Sequence, residues 1–305
     1  MKINRNIIKC AGFLLGLVIF VLILSYFFRR KDGLYVYDSL SVSVKTAAVR
    51  REPDNSLEVL FFGDSESYSS FSPKYLYSRY GYSSFVCGTA AQKVCDSYAI
   101  LKDCFETQSP KVVVLEANCL FRELNEKESK DIVLNYLTDS VPLFANHVSW
   151  KRYARRMLPK SWDLKKQEQR GFIVRKDIKP YKGAKYMQKT NKKEKVSDDV
   201  SYYLEKIVAL CGENDTEFIL VSTPSAKNWS FKKHNGVEEW ADSHGIAYVD
   251  LNLGKEVDIN WSKDTKDGGD HLNYRGAKKV TNYIGKYFRD NFSLTDYREV
   301  PDYQY

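Results

Sequence analysis

The sequence predicts an α/β domain built on a mostly parallel sheet, and three observations carry that expectation. Five short apolar runs rich in β-formers are spread along the chain. Segments with helical spacing separate them. The polar turn residues cluster just after the apolar runs, where ligands bind in such sheets.

The runs are Leu57–Phe62, Phe85–Cys87, Val112–Leu115, Glu217–Val221 and Ile246–Val249. Runs this short and continuous read as strands covered on both faces. Between them, Asp96–Thr107, Asp198–Cys211 (stopped at Gly212) and Val237–His244 (stopped at Gly245) read as helices. Tyr274–Phe288 closes the domain, with Ala277, Val280, Ile284 and Phe288 near one face. Residues 121–197 break the rhythm. They are polar, basic and helix-prone, and are expected to form a mainly helical insertion between the third and fourth strands.

Ahead of this domain, Cys10–Phe28 is a run of 19 uncharged, mostly apolar residues. As a helix it spans about 28 Å, close to the hydrocarbon thickness of a bilayer. Ser25-Tyr26-Phe27-Phe28-Arg29 is a poor cleavage site, and no Cys follows the run. An uncleaved anchor over residues 1–31 is therefore expected, rather than a secretory or lipoprotein signal. Lys2, Arg5 and Lys9 on one side and Arg29, Arg30 and Lys31 on the other nearly balance, so charge alone does not orient it. Residues 32–305 are read as one α/β domain.

The net charge of +8 is unevenly placed, since residues 150–195 hold 17 Lys and Arg against 4 Asp and Glu. Such a block suits anionic lipid headgroups or an anionic envelope polymer. No nucleic-acid module is present, and the anchor argues against that partner. Six cysteines show no CxxC spacing, which excludes the common structural zinc sites. Those of the domain read as buried thiols, with one or two bridges left open.

Chemistry concentrates at two places. Ser65 follows the first strand in Gly63-Asp64-Ser65, a turn that can expose a hydroxyl at the sheet edge. Serine needs a base. Of the four histidines, His147 lies in the insertion and His244 ends a helix beside Gly245, while His271 sits in the loop Asp267-Gly268-Gly269-Asp270-His271, just before the last helix. Either Asp267 or Asp270 could orient its second nitrogen. Asp267 is favoured, because a residue adjacent to a histidine points awkwardly for the ring. Lys227, Asn228, Trp229 and His234, in the segment leaving the fourth strand, are candidates to line a sugar or acyl pocket. A packed loop is the equal alternative.

Phe62-Gly63-Asp64-Ser65, Gly88 after the second strand, Val114-Leu115-Glu116-Ala117-Asn118 and His271-Leu272-Asn273 together resemble the four blocks of the SGNH/GDSL hydrolase superfamily. Within it the likeness is to membrane-anchored DltD-like and polysaccharide O-acetylation-type proteins. The resemblance covers roughly residues 55–120 and 215–290. It implies a three-layer, flavodoxin-like fold and a Ser-His(-Asp) acyl-enzyme mechanism, with Gly88 and Asn118 completing the oxyanion site. It needs neither metal nor cofactor. It also implies a single-pass protein with an extracytoplasmic catalytic domain. The substrate would be a cell-envelope glycan or teichoic-type polymer, and a multi-spanning membrane O-acyltransferase the partner. Two departures stand out. The spacing from Asp267 to His271 is one residue longer than Asp-x-x-His, and the third block is not a clean Gly-x-Asn-Asp. The first keeps open a non-catalytic alternative, a glycan-binding or accessory module.

Overall fold

The computed structural model describes residues 5–27, 45, 48–125, 169–254, 257–301, 303 and 305. It divides into two units. One comprises Met1–Ser39 with Asn125–Asp163, the other Leu40–Leu124 with Leu164–Tyr305.

In the first unit the described structure is helix α1 (Arg5–Phe27). Phe13, Leu15, Val18 and Phe20 on it are exposed. The expected anchor, Cys10–Phe28, lies partly outside the described residues, and among the described ones no helix is long and apolar enough to cross a membrane.

The second unit is the expected α/β domain. Strands β1 (Val59–Phe62), β2 (Ser84–Val86), β3 (Val112–Glu116), β4 (Glu217–Ser222) and β5 (Ala247–Asp250) form one sheet. Its order is β2-β1-β3-β4-β5, and every pair is parallel. That is the flavodoxin-like order, whose switch point falls between β1 and β3. All residues of β1, β2 and β3 are buried, which explains why apolar residues dominate them.

Alternate strand residues project to opposite faces. Val59, Phe61, Val112, Val114, Ile219 and Val221 share a core with Phe71, Leu76, Val280, Ile284 and Phe288. The last three belong to helix α7 (Tyr274–Asn291), whose buried stripe is the one the spacing predicts. Helices α4 (Val94–Cys104) and α5 (Asp198–Glu213) pack on each other, and α6 (Phe231–His244) packs on β5.

Two helices between β1 and β2 were not anticipated: α2 (Ser65–Ser70) and α3 (Pro73–Tyr80). The signals for α3 were local. Ser72 caps its first turn, Pro73 occupies the first position, and Gly81 ends it in the left-handed region. Helix α5 also runs past Gly212, to a cap at Asn214.

The described part of the insertion departs from the expected helix. Residues 126–168, His147 and the start of the basic block among them, lie outside the described ones, and 169–197 carry no helix. Several backbone groups of 169–197 bond to other parts of the unit. Arg170 accepts from Val86 N–H (2.9 Å), Ile173 donates to Tyr68 O (3.0 Å) and Arg175 accepts from Tyr274 N–H (2.7 Å). Lys179 donates to Thr265 O (3.1 Å) and accepts from Gly268 N–H (3.0 Å). Gly171 and Pro180 interrupt helical spacing here, and the exchanged bonds make the segment a strap across the carboxyl edge of the sheet.

Cys87, Cys104, Cys119 and Cys211 are buried thiols, as expected. Burial raises the pKa of Cys119, and that of Cys211 to about 12, so neither is a reactive thiolate.

Candidate active site

The end of β1 presents Ser65 through a turn that only glycine can make. Gly63 has φ +128°, and a Cβ there would lie 2.7 Å from Glu116 Cβ on the neighbouring strand. Asp64 then caps α2, accepting from Glu66 N–H at 3.0 Å. Its other oxygen accepts from Asn118 Nδ2 (2.9 Å) and Arg122 Nε (2.7 Å). The fully buried Asp64 is therefore the tie that holds the serine turn to the end of β3. Two hydrogen bonds and a guanidinium compensate the burial of its charge.

The histidine loop is built just as tightly. Thr265 and Leu272 form an antiparallel bridge at its neck. Thr265 Oγ1 donates to His271 O (3.0 Å) and accepts from Gly269 N–H (2.7 Å). Gly268 and Gly269, at φ +80° and +95°, reverse the chain between. These two left-handed residues absorb the extra position relative to Asp-x-x-His. Asp267 is thereby folded back, and its two oxygens accept from His271 N–H (2.7 Å) and meet His271 Nδ1 (2.7 Å). His271 Nε2 lies 2.7 Å from Ser65 Oγ. The line Asp267–His271–Ser65 is continuous.

Asp270 is 3.6 Å from His271 Nδ1, beyond hydrogen-bond reach. Its carboxylate instead accepts from Asn228 Nδ2. Of the two acids the sequence offered, Asp267 orients the ring. Burial pushes the Asp267 carboxyl up, but the hydrogen bonds from His271, that ring's charge and Lys266 outweigh it, so its pKa is lowered.

The other candidates divide. Gly88 lies where a Cβ would meet Ser67 Oγ at 1.8 Å and Gly63 O at 2.8 Å, so only glycine lets β2 approach the serine turn. Asn118 is close by. Its Nδ2 donates to Asp64, and its Oδ1 accepts from Lys233 Nζ at 3.2 Å. Lys227 is exposed, and its ammonium donates to Asp267 O at 3.1 Å. Asn228 bridges Asp270 and Glu66, donating to Glu66 Oε1 at 2.9 Å. Trp229 and His234 are not pocket-lining. Trp229 is 3% exposed and donates to Asp250 Oδ2 (3.0 Å), while His234 is 5% exposed with Nδ1 2.9 Å from the same oxygen. One buried carboxylate at the end of β5 collects both side chains and turns them inward.

Three residues escaped the sequence reading. Tyr68 lies three positions after Ser65 on α2, one helical turn along the same face, and burial raises its pKa. The i, i+3 spacing was the available signal. Lys233, one position before His234, is the cation beside Asn118; it donates to Asn228 O (2.8 Å) and lies over the Phe121 ring. Burial lowers its pKa. Glu66 is buried beside Ser65, and nothing in the linear sequence distinguishes it from a solvent-facing helix residue.

Burial, then the charges of Glu116 and Asp64, raise the Glu66 pKa well above the carboxylate range. A raised folded-state pKa contributes stability that is complete below the unfolded pKa and is lost as pH rises through the folded one. Glu66→Gln removes this penalty. Its melting temperature should equal wild type near pH 4 and exceed it by about 2 °C or more at pH 8. Parallel curves across that range in thermal unfolding monitored by circular dichroism would refute the raised Glu66 pKa.

Glu66, Asp270 and His271 each place one ligand atom within 4.8 Å of the others. Both His271 nitrogens, however, are engaged by Asp267 and Ser65.

No protein-family model matches the chain, and no curated protein matches it. Solved structures do resemble it. A family 3 carbohydrate esterase from Clostridium thermocellum is 12% identical with a TM-score of 0.41; the match covers 77% of this chain and 96% of that one. The psychrotrophic esterase EstA of Pseudoalteromonas sp., in a structure inhibited by monoethylphosphonate, is 10% identical with a TM-score of 0.41, over 76% and 96%. A GDSL-like lipase from Bacteroides thetaiotaomicron is 11% identical with a TM-score of 0.36, over 76% and 87%.

Proposed function

We propose that this chain is a serine esterase or O-acyltransferase of the SGNH/GDSL type, acting on acyl groups of a cell-envelope polysaccharide or teichoic-type polymer. One observation carries the reading: the line from Asp267 through His271 to Ser65, with both ring nitrogens 2.7 Å from their partners. That arrangement suits acyl transfer. His271 Nε2 takes the Ser65 proton as Oγ bonds to the ester carbonyl carbon. Backbone N–H groups at Ser65 and Gly88, with the second N–H of Asn118, receive the oxyanion. The carbon–alkoxy bond breaks, His271 returns the proton to the leaving oxygen, and an acyl-serine remains. Water or a sugar hydroxyl, deprotonated by His271, then attacks the acyl carbon, the bond to Ser65 Oγ breaks, and His271 returns the proton to the serine.

A fluorophosphonate probe tests this directly. It should label the wild-type protein on Ser65 and should not label Ser65→Ala. A folded wild-type chain that stays unlabelled would sink the proposal in favour of a non-catalytic glycan-binding or accessory module.

The anchor belongs to the same proposal. The apolar run 10–28 would hold the protein in the membrane with the catalytic unit extracytoplasmic. The basic segment 150–195 would face anionic lipid, and a multi-spanning O-acyltransferase would supply the acyl group. Removing residues 1–31 is expected to move the protein from the carbonate-resistant membrane fraction to the supernatant. Equal partitioning of the two forms would exclude the anchor.

A further inference from the structure

The strap over residues 169–197 brings a second feature to the catalytic edge. Between its segment 181–189 and Trp261 lies an open cavity of about 910 Å³. Tyr181 and Tyr186 meet the Trp261 ring edge-on, at centroid distances of 6.1 and 5.3 Å, and Phe231 from the start of α6 adds a further ring. Lys185 and Lys189 stand exposed at its rim, and among the described residues no carboxylate lines it.

The cavity shares walls with the histidine loop. A Cβ on Gly269 would fall 2.5 Å from the Tyr181 ring, so that glycine lets the ring rest on the loop two residues before His271. On the other side Asn252, also lining the cavity, accepts from Ser225 N–H (3.2 Å), and Ser225 Oγ donates to Asp270 O (2.6 Å).

We propose that this cavity is the subsite for the polymer chain of the substrate, and that it takes an anionic oligosaccharide. Aromatic rings give apolar faces for the C–H surfaces of pyranose rings. The two rim lysines favour chains bearing carboxylate or phosphate groups. This deepens the esterase reading by naming what holds the polymer while Ser65 handles the acyl group, and it rests on that reading for its purpose.

The test separates the two. Tetragalacturonate is titrated into the full-length Ser65→Ala protein in detergent micelles, with tryptophan fluorescence and calorimetry as readouts. Saturable binding is expected, about tenfold weaker with Trp261→Ala added and at least about threefold weaker with the exposed pair Lys185→Gln/Lys189→Gln, which leaves the packing untouched. Neutral cellotetraose should bind about tenfold more weakly than tetragalacturonate. No saturable binding, indifference to both sets of substitutions, or equal binding of cellotetraose overturns the subsite. Hydrolysis of p-nitrophenyl acetate by the protein with native Ser65 is followed in parallel. Loss of that hydrolysis in every form, with oligosaccharide binding intact, would overturn the esterase reading and leave the subsite standing.

Discussion

Ser65→Ala is expected to lower kcat/KM for p-nitrophenyl acetate by about 10⁴-fold, with KM changed by less than about threefold. The Oγ is the atom 2.7 Å from His271 Nε2, so its removal leaves the base with nothing to deprotonate except water. The fold should not suffer. Ser65 opens α2, but the cap on that helix comes from Asp64, and Asp64 is held by Asn118 and Arg122. His271→Ala should cost about as much, and the double variant little more, because a nucleophile and its base act as one unit. A Ser65→Ala protein with more than a tenth of wild-type turnover in stopped-assay kinetics would remove the serine from the mechanism.

The residues that acted through local chemistry were the ones legible in the sequence. All five strands were legible as short apolar runs, and β1 shows why most plainly: Val59–Phe62 is buried on both faces and apolar throughout. Ser65 and His271 stood out because a strand-end serine and a glycine-rich histidine loop are each unusual. Residues whose roles depend on distant partners were opaque. Trp229 and His234 look like pocket residues in a polar segment, yet Asp250, on another strand, draws both inward. Lys233, beside His234, is the one that reaches Asn118. The strap 169–197 reads as helix-prone because its lysines suit helices, while its backbone bonds run to Tyr68, Thr265 and Tyr274. Propensity lost there to long-range pairing, which no window of residues contains.

The third member of the catalytic line separates sharply from its neighbour in expected effect. Asp267→Asn should lower kcat/KM by about 10²- to 10⁴-fold, whereas Asp270→Asn should cost less than about tenfold. Asp267 uses one oxygen for His271 N–H and the other for Nδ1, both at 2.7 Å. An asparagine there keeps its carbonyl on the backbone N–H and turns its amide toward the ring. The ring must then present a bare Nδ1 to it and carry its proton on Nε2, facing Ser65. In that tautomer it cannot accept the serine proton. Asp270 stands 3.6 Å from the ring and already serves Asn228, and an asparagine can accept that bond equally well. Asp267 should also show in stability. The lowered Asp267 pKa means its stabilisation is present above the unfolded value, about 3.9, and is lost as pH falls through the folded one. Wild type should therefore shed this contribution only in the acid range, and Asp267→Asn should lack it at neutral pH. Equal kinetic losses in the two variants would mean that both carboxylates orient the ring, and a larger loss for Asp270→Asn would reassign the triad.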